Sequence, residues 1–159
     1  MDLQVRRQTL RMFSNGVYII TSRSGSHYGG ATVTWVSQAS FKPPLVMAAI
    51  RKDSNVFQGM NESKVTAIHL VAWNQEDVAQ NFFTPTRVEN GCMNIEPFRL
   101  GRTSAPILQN APAYVECQVR HILDDVGDHA IVILEVVEAE CNRGIRPLTV
   151  AESPWEYGG

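Results

Sequence analysis

The sequence predicts a mainly β chain folded as an antiparallel barrel with two or three short helices. Three observations carry this. Residues 113–123 and 129–140 alternate apolar and polar side chains on either side of an acidic, glycine-containing turn at 124–128, the pattern of a long hairpin. Runs rich in β-branched or small apolar residues at 17–21, 45–50 and 65–71 are short enough for strands and bounded by turn-forming residues. Strands do not alternate regularly with helices, as a parallel sheet with crossover helices would require.

Taken in order, residues 2–13 suit a short helix, with Leu3, Leu10 and Phe13 near one face and Arg6, Arg7 and Arg11 elsewhere; Asn15 and Gly16 end it. The 17–21 strand is followed by a turn at 24–26. Next comes the stretch from Tyr28 to Pro44, opened by two glycines, closed by two prolines and carrying one charge, Lys42. Read as one strand, it places Thr32, Thr34, Val36, Gln38 and Ser40 on one face. Ala31, Val33, Trp35, Ser37, Ala39 and Phe41 form the other, which suits a core. The first face is polar yet uncharged. That composition fits burial against a hydrogen-bonding ligand, and equally a Thr/Ser-rich solvent strand or two strands joined by a turn. Asp53 or Ser54 caps a helix that carries Val56, Phe57 and Met60 at helical spacing. The 65–71 run reads as a central strand, with His69 a satisfied core histidine. Residues 74–77 predict a reciprocally capped helix start leading to Val78, Ala79 and a core pair, Phe82 and Phe83. Residues 84–104 read as a loop excursion, a lid or a partner-contacting arm. In the hairpin, Val115, Cys117 and Val119 point inward and Glu116, Gln118 and Arg120 outward. Residues 141–159 form an extended C-terminal tail with two aromatics.

The length of 159 residues suits one domain, 1–159, with room for a sizeable core. A net charge of −2 gives no reason to expect nucleic acid. No run approaches the roughly 20 apolar residues of a membrane span, and the first residues lack the apolar stretch of a secretion signal. Cys92, Cys117 and Cys141 are odd in number and widely spaced, as reduced thiols in a cytoplasm would be. A glycosylation sequon at Asn61–Ser63 is therefore incidental. Gly25 to Gly30 matches neither dinucleotide nor P-loop fingerprints, no serine-nucleophile elbow occurs, and the acids at 124–128 suit a turn better than a metal site.

Three features remain: the neutral polar strand from Thr32 to Ser40, a cationic helix start at Lys52 and Ser54, and His129 at a strand mouth. A flat heteroaromatic ring with carbonyl and N–H edges calls for hydroxyl, amide and backbone partners. A phosphate calls for a helix start and a cation. Flavin mononucleotide makes both demands.

The ordered set Phe13-Ser-Asn-Gly-Val17, Gly30-Ala-Thr32, Ser40-Phe-Lys-Pro-Pro-Leu45, Lys52-Asp-Ser54, Gln75, Phe82-Phe83, Glu116-Cys117, Gly127-Asp-His129 and Tyr157-Gly-Gly159 resembles the flavin reductase-like family of FMN-binding split barrels over almost the whole chain. The segment Trp35 to Phe41 is similar to flavin reductase-type modules fused to some flavodiiron proteins. The resemblance implies a six-stranded Greek-key barrel, a homodimer, and one FMN per protomer near the dimer interface, with FAD as the alternative flavin. Carried onto this chain, Thr32, Val33, Thr34, Trp35, Gln38, Ala39 and Ser40 would line the ring and ribityl chain. Lys52 and Ser54 would hold the phosphate, Phe83 and the region of Tyr157 would neighbour the ring, and His129 would position a nicotinamide. The implied activity is NADH- or NADPH-dependent flavin reduction serving an oxygenase or another electron acceptor. Trp35 and Gln38 depart from the commoner small residue and serine, and favour a flavin that stays bound. Two alternatives follow: a flavoredoxin-like electron-transfer flavoprotein without NAD(P)H activity, and a non-catalytic flavin- or haem-binding barrel.

Overall fold

A computed structural model describes residues 1–159. After helix α1 (Leu3–Leu10) come β1 (Tyr18–Ser24), β2 (His27–Val33), β3 (Val36–Ser40), β4 (Leu45–Arg51), α2 (Asn55–Ser63), β5 (Val65–Leu70) and α3 (Glu76–Asn81). A small meander follows, β6 (Val88–Glu89), β7 (Cys92–Met93), β8 (Glu96–Leu100) and β9 (Pro106–Leu108), and then the long hairpin β10 (Ala113–Leu123) and β11 (His129–Cys141). Seven strands form one antiparallel sheet in the order β2-β1-β5-β10-β11-β4-β3. Chain neighbours β4 and β5 are separated in it by the hairpin, the long crossing expected of a Greek key.

One interior touches every strand of this sheet. Ile20, Ala31, Val33, Val36, Ala48, Ile50, Ile68, Cys117, Val132 and Leu134 meet there with Val56, Phe57 and Met60 from α2, so the sheet is rolled around its core with α2 closing it. Burial pushes the Cys117 thiol up to about 12, so it packs as an inert apolar group. A second cluster, including Val17, Ile19, Val71, Phe82, Met93 and Leu148, covers the outside of β1 and β5. Buried on both faces, β5 shows the near-continuous apolar run that marked it as central. His69 lies in that layer and is fully buried. Its Nδ1–H donates to the Ile19 carbonyl at 2.9 Å, and Nε2 accepts from the Leu108 N–H at 3.1 Å, joining β1, β5 and β9.

Five expectations are corrected. The expected six strands are seven, because the central stretch takes the second of its two readings and forms two strands: β2 ends at Val33, and after the break Val36 faces the interior where unbroken alternation would have put Trp35. Phe41, expected in the core, is 85% exposed. Residues 84–104, expected as a loop excursion, hold the first three strands of the meander, two of them only two residues long. Glu116 is buried, because residues 101–103 fold over it; its carboxylate accepts from the Arg102 and Thr103 N–H groups and the Thr103 hydroxyl. At the helix expected over 74–77, Gln75 makes no capping bond and accepts from the Ala72 N–H instead.

Asp2 caps α1 through the N–H groups of Gln4 and Val5, yet no α1 residue is buried. The tail returns along the barrel: Leu148 is buried and pairs by backbone with Val17 and Val71, and the chain then runs across α1. Gly29 is required by a close approach, since a Cβ there would lie 2.5 Å from the Val56 Cα in α2. No helix is long and apolar enough to cross a membrane.

Candidate functional site

A cavity of about 80 Å³ opens where β2 stops, β4 ends and α2 begins. Its inner wall is apolar: Ala31 and Val33 from β2, Ala49 and Ile50 from β4, Val56 from the first turn of α2. Strand alternation points Ala31, Val33 and Ile50 into the barrel core, where Val56 meets them, and Ala49 borders the cavity from the other face of β4. Thr34 and Trp35 form the break between β2 and β3, and the break is fixed by a backbone bond from the Ala49 N–H to the Trp35 carbonyl at 2.9 Å. The Thr34 hydroxyl is buried and has no hydrogen-bond partner. An orphaned buried hydroxyl costs roughly 1–3 kcal/mol, so its position beside a cavity marks a place where a ligand's polar atom fits.

Trp35 stands between two rings, His129 at 4.8 Å and Tyr157 at 5.5 Å, both tilted by about 50° (53° and 54°). The His129 imidazole is tied through Nδ1 to Asp128 Oδ1 at 2.7 Å, and this bond holds the Asp128 carboxyl below its usual range. At the mouth, Arg51 forks onto Asp53 at 3.0 and 2.7 Å; the paired guanidinium lowers the Asp53 carboxyl, which in turn raises Arg51. Ser54 is the N-cap of α2. Its Oγ accepts from the Phe57 N–H and donates to the Arg51 carbonyl, so the cap answers Phe57, while Asn55 and Val56 have no carbonyl within the helix to bond.

Of the residues singled out from sequence, Thr32, Val33, Thr34, Trp35, Ser54 and His129 line this cavity. The Thr32 hydroxyl, however, is used up on the Ala79 carbonyl at 2.6 Å. Lys52 is turned away: alternation at the end of β4 directs Arg51 to the mouth, and Lys52 Nζ donates to the Asp124 carbonyl of the hairpin turn. Gln38 and Ala39 are exposed and Ser40 half-buried on β3, an edge strand past the break, so the neutral polar face does not continue into the cavity. Phe83 is 51% exposed and packs edge-on against Trp155, outside the cavity. Sequence reasoning did not single out Ala31, Ala49, Ile50, Arg51 and Val56 as lining residues; a signal for Arg51 was available, because it is the charge that ends the apolar run of β4. Tyr157, a weak candidate from the tail, lines the cavity directly. No cluster of three or more His, Cys, Asp or Glu side chains is arranged to hold a metal ion.

The arrangement is a dry wall, one free buried hydroxyl, a helix start with a cation, and an aromatic stack at the mouth. It suits a planar ring with a polar edge and an anionic tail. Residues 10–154 match the family model of the flavin reductase like domain. A Rhizobium meliloti protein named "Probable flavin reductase" is 30% identical over 151 residues, covering 94% of this chain and 47% of that protein. The chain thus spans about half the length of that relative. The NADH-dependent FAD reductase of Streptomyces globisporus is 30% identical over 135 residues, 84% of this chain and 73% of that one. The reductase component of a Rhodococcus opacus 4-nitrophenol 4-monooxygenase/4-nitrocatechol 2-monooxygenase is 27% identical, covering 87% and 72%. Among solved structures, the NADH:FAD oxidoreductase of Streptomyces globisporus C-1027 superposes with a TM-score of 0.80 at 25% identity, covering 99% of this chain and 92% of that one. A second structure of it, in complex with NAD and FAD fragments, covers 87% and 81% at 27% identity with a TM-score of 0.72.

Proposed function

The chain belongs to the flavin reductase-like domain family, and from that premise we propose that residues 1–159 are a single FMN-binding domain catalysing NAD(P)H-dependent flavin reduction. The observation that carries the proposal is the orphaned Thr34 hydroxyl beside the apolar inner wall of the cavity, which asks for a ligand with one polar edge set in a flat hydrophobic body. When bound, the flavin supplies the two-electron acceptor for hydride leaving the nicotinamide. The chain supplies position. Thr34 hydrogen-bonds the ring edge, while Ala31, Val33, Ile50 and Val56 exclude water from it. Ser54 at the α2 start and Arg51 hold the phosphate, a role that falls to Arg51 rather than Lys52. His129, its ring fixed by Asp128 and flanked by Trp35, positions the nicotinamide; it is assigned no proton transfer.

FAD is admitted as an alternative flavin and NADH as reductant, in line with what the Streptomyces relative is named for, and NADPH is admitted beside NADH. The electron acceptor proposed is an oxygenase component, as the name of the Rhodococcus opacus relative describes for that protein. The domain is proposed to work in the cytoplasm, with its three cysteines unpaired. A homodimer accounts for the apolar outer surface at Phe41, Met47 and Ile131, on and beside β3, β4 and β11. A one-chain mass by sedimentation at micromolar concentration removes the dimer from the proposal.

The test of activity is stopped-flow absorbance: protein with FMN is expected to oxidise NADH or NADPH faster than FMN alone, and equal rates with both donors end the reading. A second reading, a flavoredoxin-like carrier, is favoured by one observation, the Tyr157 and Trp35 rings filling the mouth where a nicotinamide would enter. Bleaching of the bound flavin by NADH excludes it.

A further inference from the structure

The cavity is too small for the ligand its lining suits. Pockets that hold drug-sized ligands run from about 300 to 1,000 Å³, against about 80 Å³ here. Something in the wall has to yield. The β2, β4 and α2 lining belongs to the barrel core, and His129 is set in β11 and tied to Asp128. Tyr157 alone comes from outside the barrel.

The segment bearing Tyr157 is fastened by α1. Arg11 reaches across with Nε donating to the Gly158 carbonyl at 3.0 Å and a terminal nitrogen on the Glu156 carboxylate at 2.8 Å. Arg6 donates to the Gly159 carbonyl at 3.3 Å. The clasp is polar, and its ion pair is open to solvent on one side: the Glu156 side chain is 78% exposed and the Arg11 side chain 26%, and ion pairs with a solvated partner hold weakly. Upstream, the same tail is secured by the buried Leu148 and its backbone bonds. A firmly anchored root and a lightly clasped tip describe a strap. Gly158 and Gly159 both adopt positive φ, so the tip takes a backbone path that residues with a Cβ disfavour.

We propose that residues 156–159 are an exchangeable occupant of the ligand site. The Tyr157 ring holds the place of a planar aromatic ligand against Trp35, and α1 sets the affinity of the site by clasping the strap through Arg11 and Glu156. The inference rests on the flavin-binding reading, and it adds that ligand and strap compete. Opening the clasp should then tighten binding, the opposite of what losing a surface ion pair does to an ordinary site.

The experiment is FMN titration and stopped-flow association on the full chain, following flavin fluorescence and Trp emission, for wild type, Glu156→Lys and Tyr157→Ala. Glu156→Lys sets a cation against Arg11. The expected result is about threefold to fivefold tighter FMN binding in Glu156→Lys, carried by a faster association rate, since an exposed pair is worth up to about that factor. Tyr157→Ala is expected to raise the association rate at least as much. Thermal melting checks that both variants are folded, and the exposure of Glu156 makes this variant structurally benign. Wild-type binding with unchanged association rates in both folded variants overturns the strap while leaving the flavin reading intact. Failure of wild type and both variants to bind FMN overturns the reading itself. Binding by the variants alone supports the strap.

Discussion

The layer around His69 and the cavity under Trp35 both withdraw polar side chains from water, and the chain treats them in opposite ways. In the first, every polar atom is answered from within: the imidazole spends its one proton on the Ile19 carbonyl and its lone pair on the Leu108 N–H. In the second, the Thr34 hydroxyl is left unanswered a few residues from the apolar wall it interrupts. A satisfied buried group adds stability and specifies register. An unsatisfied one costs stability and is retained where something else supplies the missing partner. The contrast separates the part of the protein that holds the fold from the part that serves the ligand.

The sharpest way to test that separation is to remove each group in turn. His69→Ala leaves a cavity and two unpaired backbone groups between three strands, and is expected to cost about 4 kcal/mol in urea unfolding. The FMN affinity of the remaining folded protein should stay within about twofold of wild type. A large loss of affinity would join the two regions that the comparison divides.

Acid probes the same layer without a substitution. Burial lowers His69 from 6.5 to about 4. Both ring nitrogens are committed, and protonating Nε2 would set two N–H groups against each other. The unfolded chain binds this proton below about pH 6.5 and the folded chain only near pH 4. The His69 contribution is therefore complete above about pH 6.5 and declines as pH falls toward 4, by roughly 3 kcal/mol in all. Chemical denaturation at a series of pH values should show that slope, and His69→Ala should lack this part of it.

The smallest effect is the most telling for function. Thr34→Val keeps the shape and deletes the orphan, so stability is expected to hold or rise by up to about 1 kcal/mol. FMN binding should weaken by about fivefold, the worth of one hydrogen bond of roughly 1 kcal/mol. Calorimetry paired with thermal melting reads both. Weaker stability with unchanged FMN affinity would mean that Thr34 belongs with His69.

How far the sequence revealed this depended on the range of the interactions involved. The β10–β11 hairpin, the α2 apolar stripe and the central character of β5 are written in local periodicity, and each was legible. His69 was recognisable as a core group because it sits in an apolar run. The break at Thr34 and Trp35 was not legible as such, since both parities of that stretch look acceptable until the Ala49 N–H is seen to hold the Trp35 carbonyl. Glu116 fits the outward phase of its strand, and only the fold of residues 101–103 explains its burial. Two-residue strands such as β6 and β7 carry no pattern at all. At the site, Thr32, Thr34, Trp35, Ser54 and His129 were found from chemistry and resemblance, whereas Lys52 and Arg51 differ by one position and strand direction decides between them.

Gly29 carries a last consequence. With a Cβ there lying 2.5 Å from the Val56 Cα, the second strand and the helix that opens the anion-facing end of the site already touch through bare main chain. Position 29 works as a gauge block: any side chain would pry the two layers apart and carry Ser54 away from Thr34. The span between the two ends of the binding seat is thereby machined into the backbone, and what remains adjustable is the upholstery, Trp35, Arg51 and Tyr157.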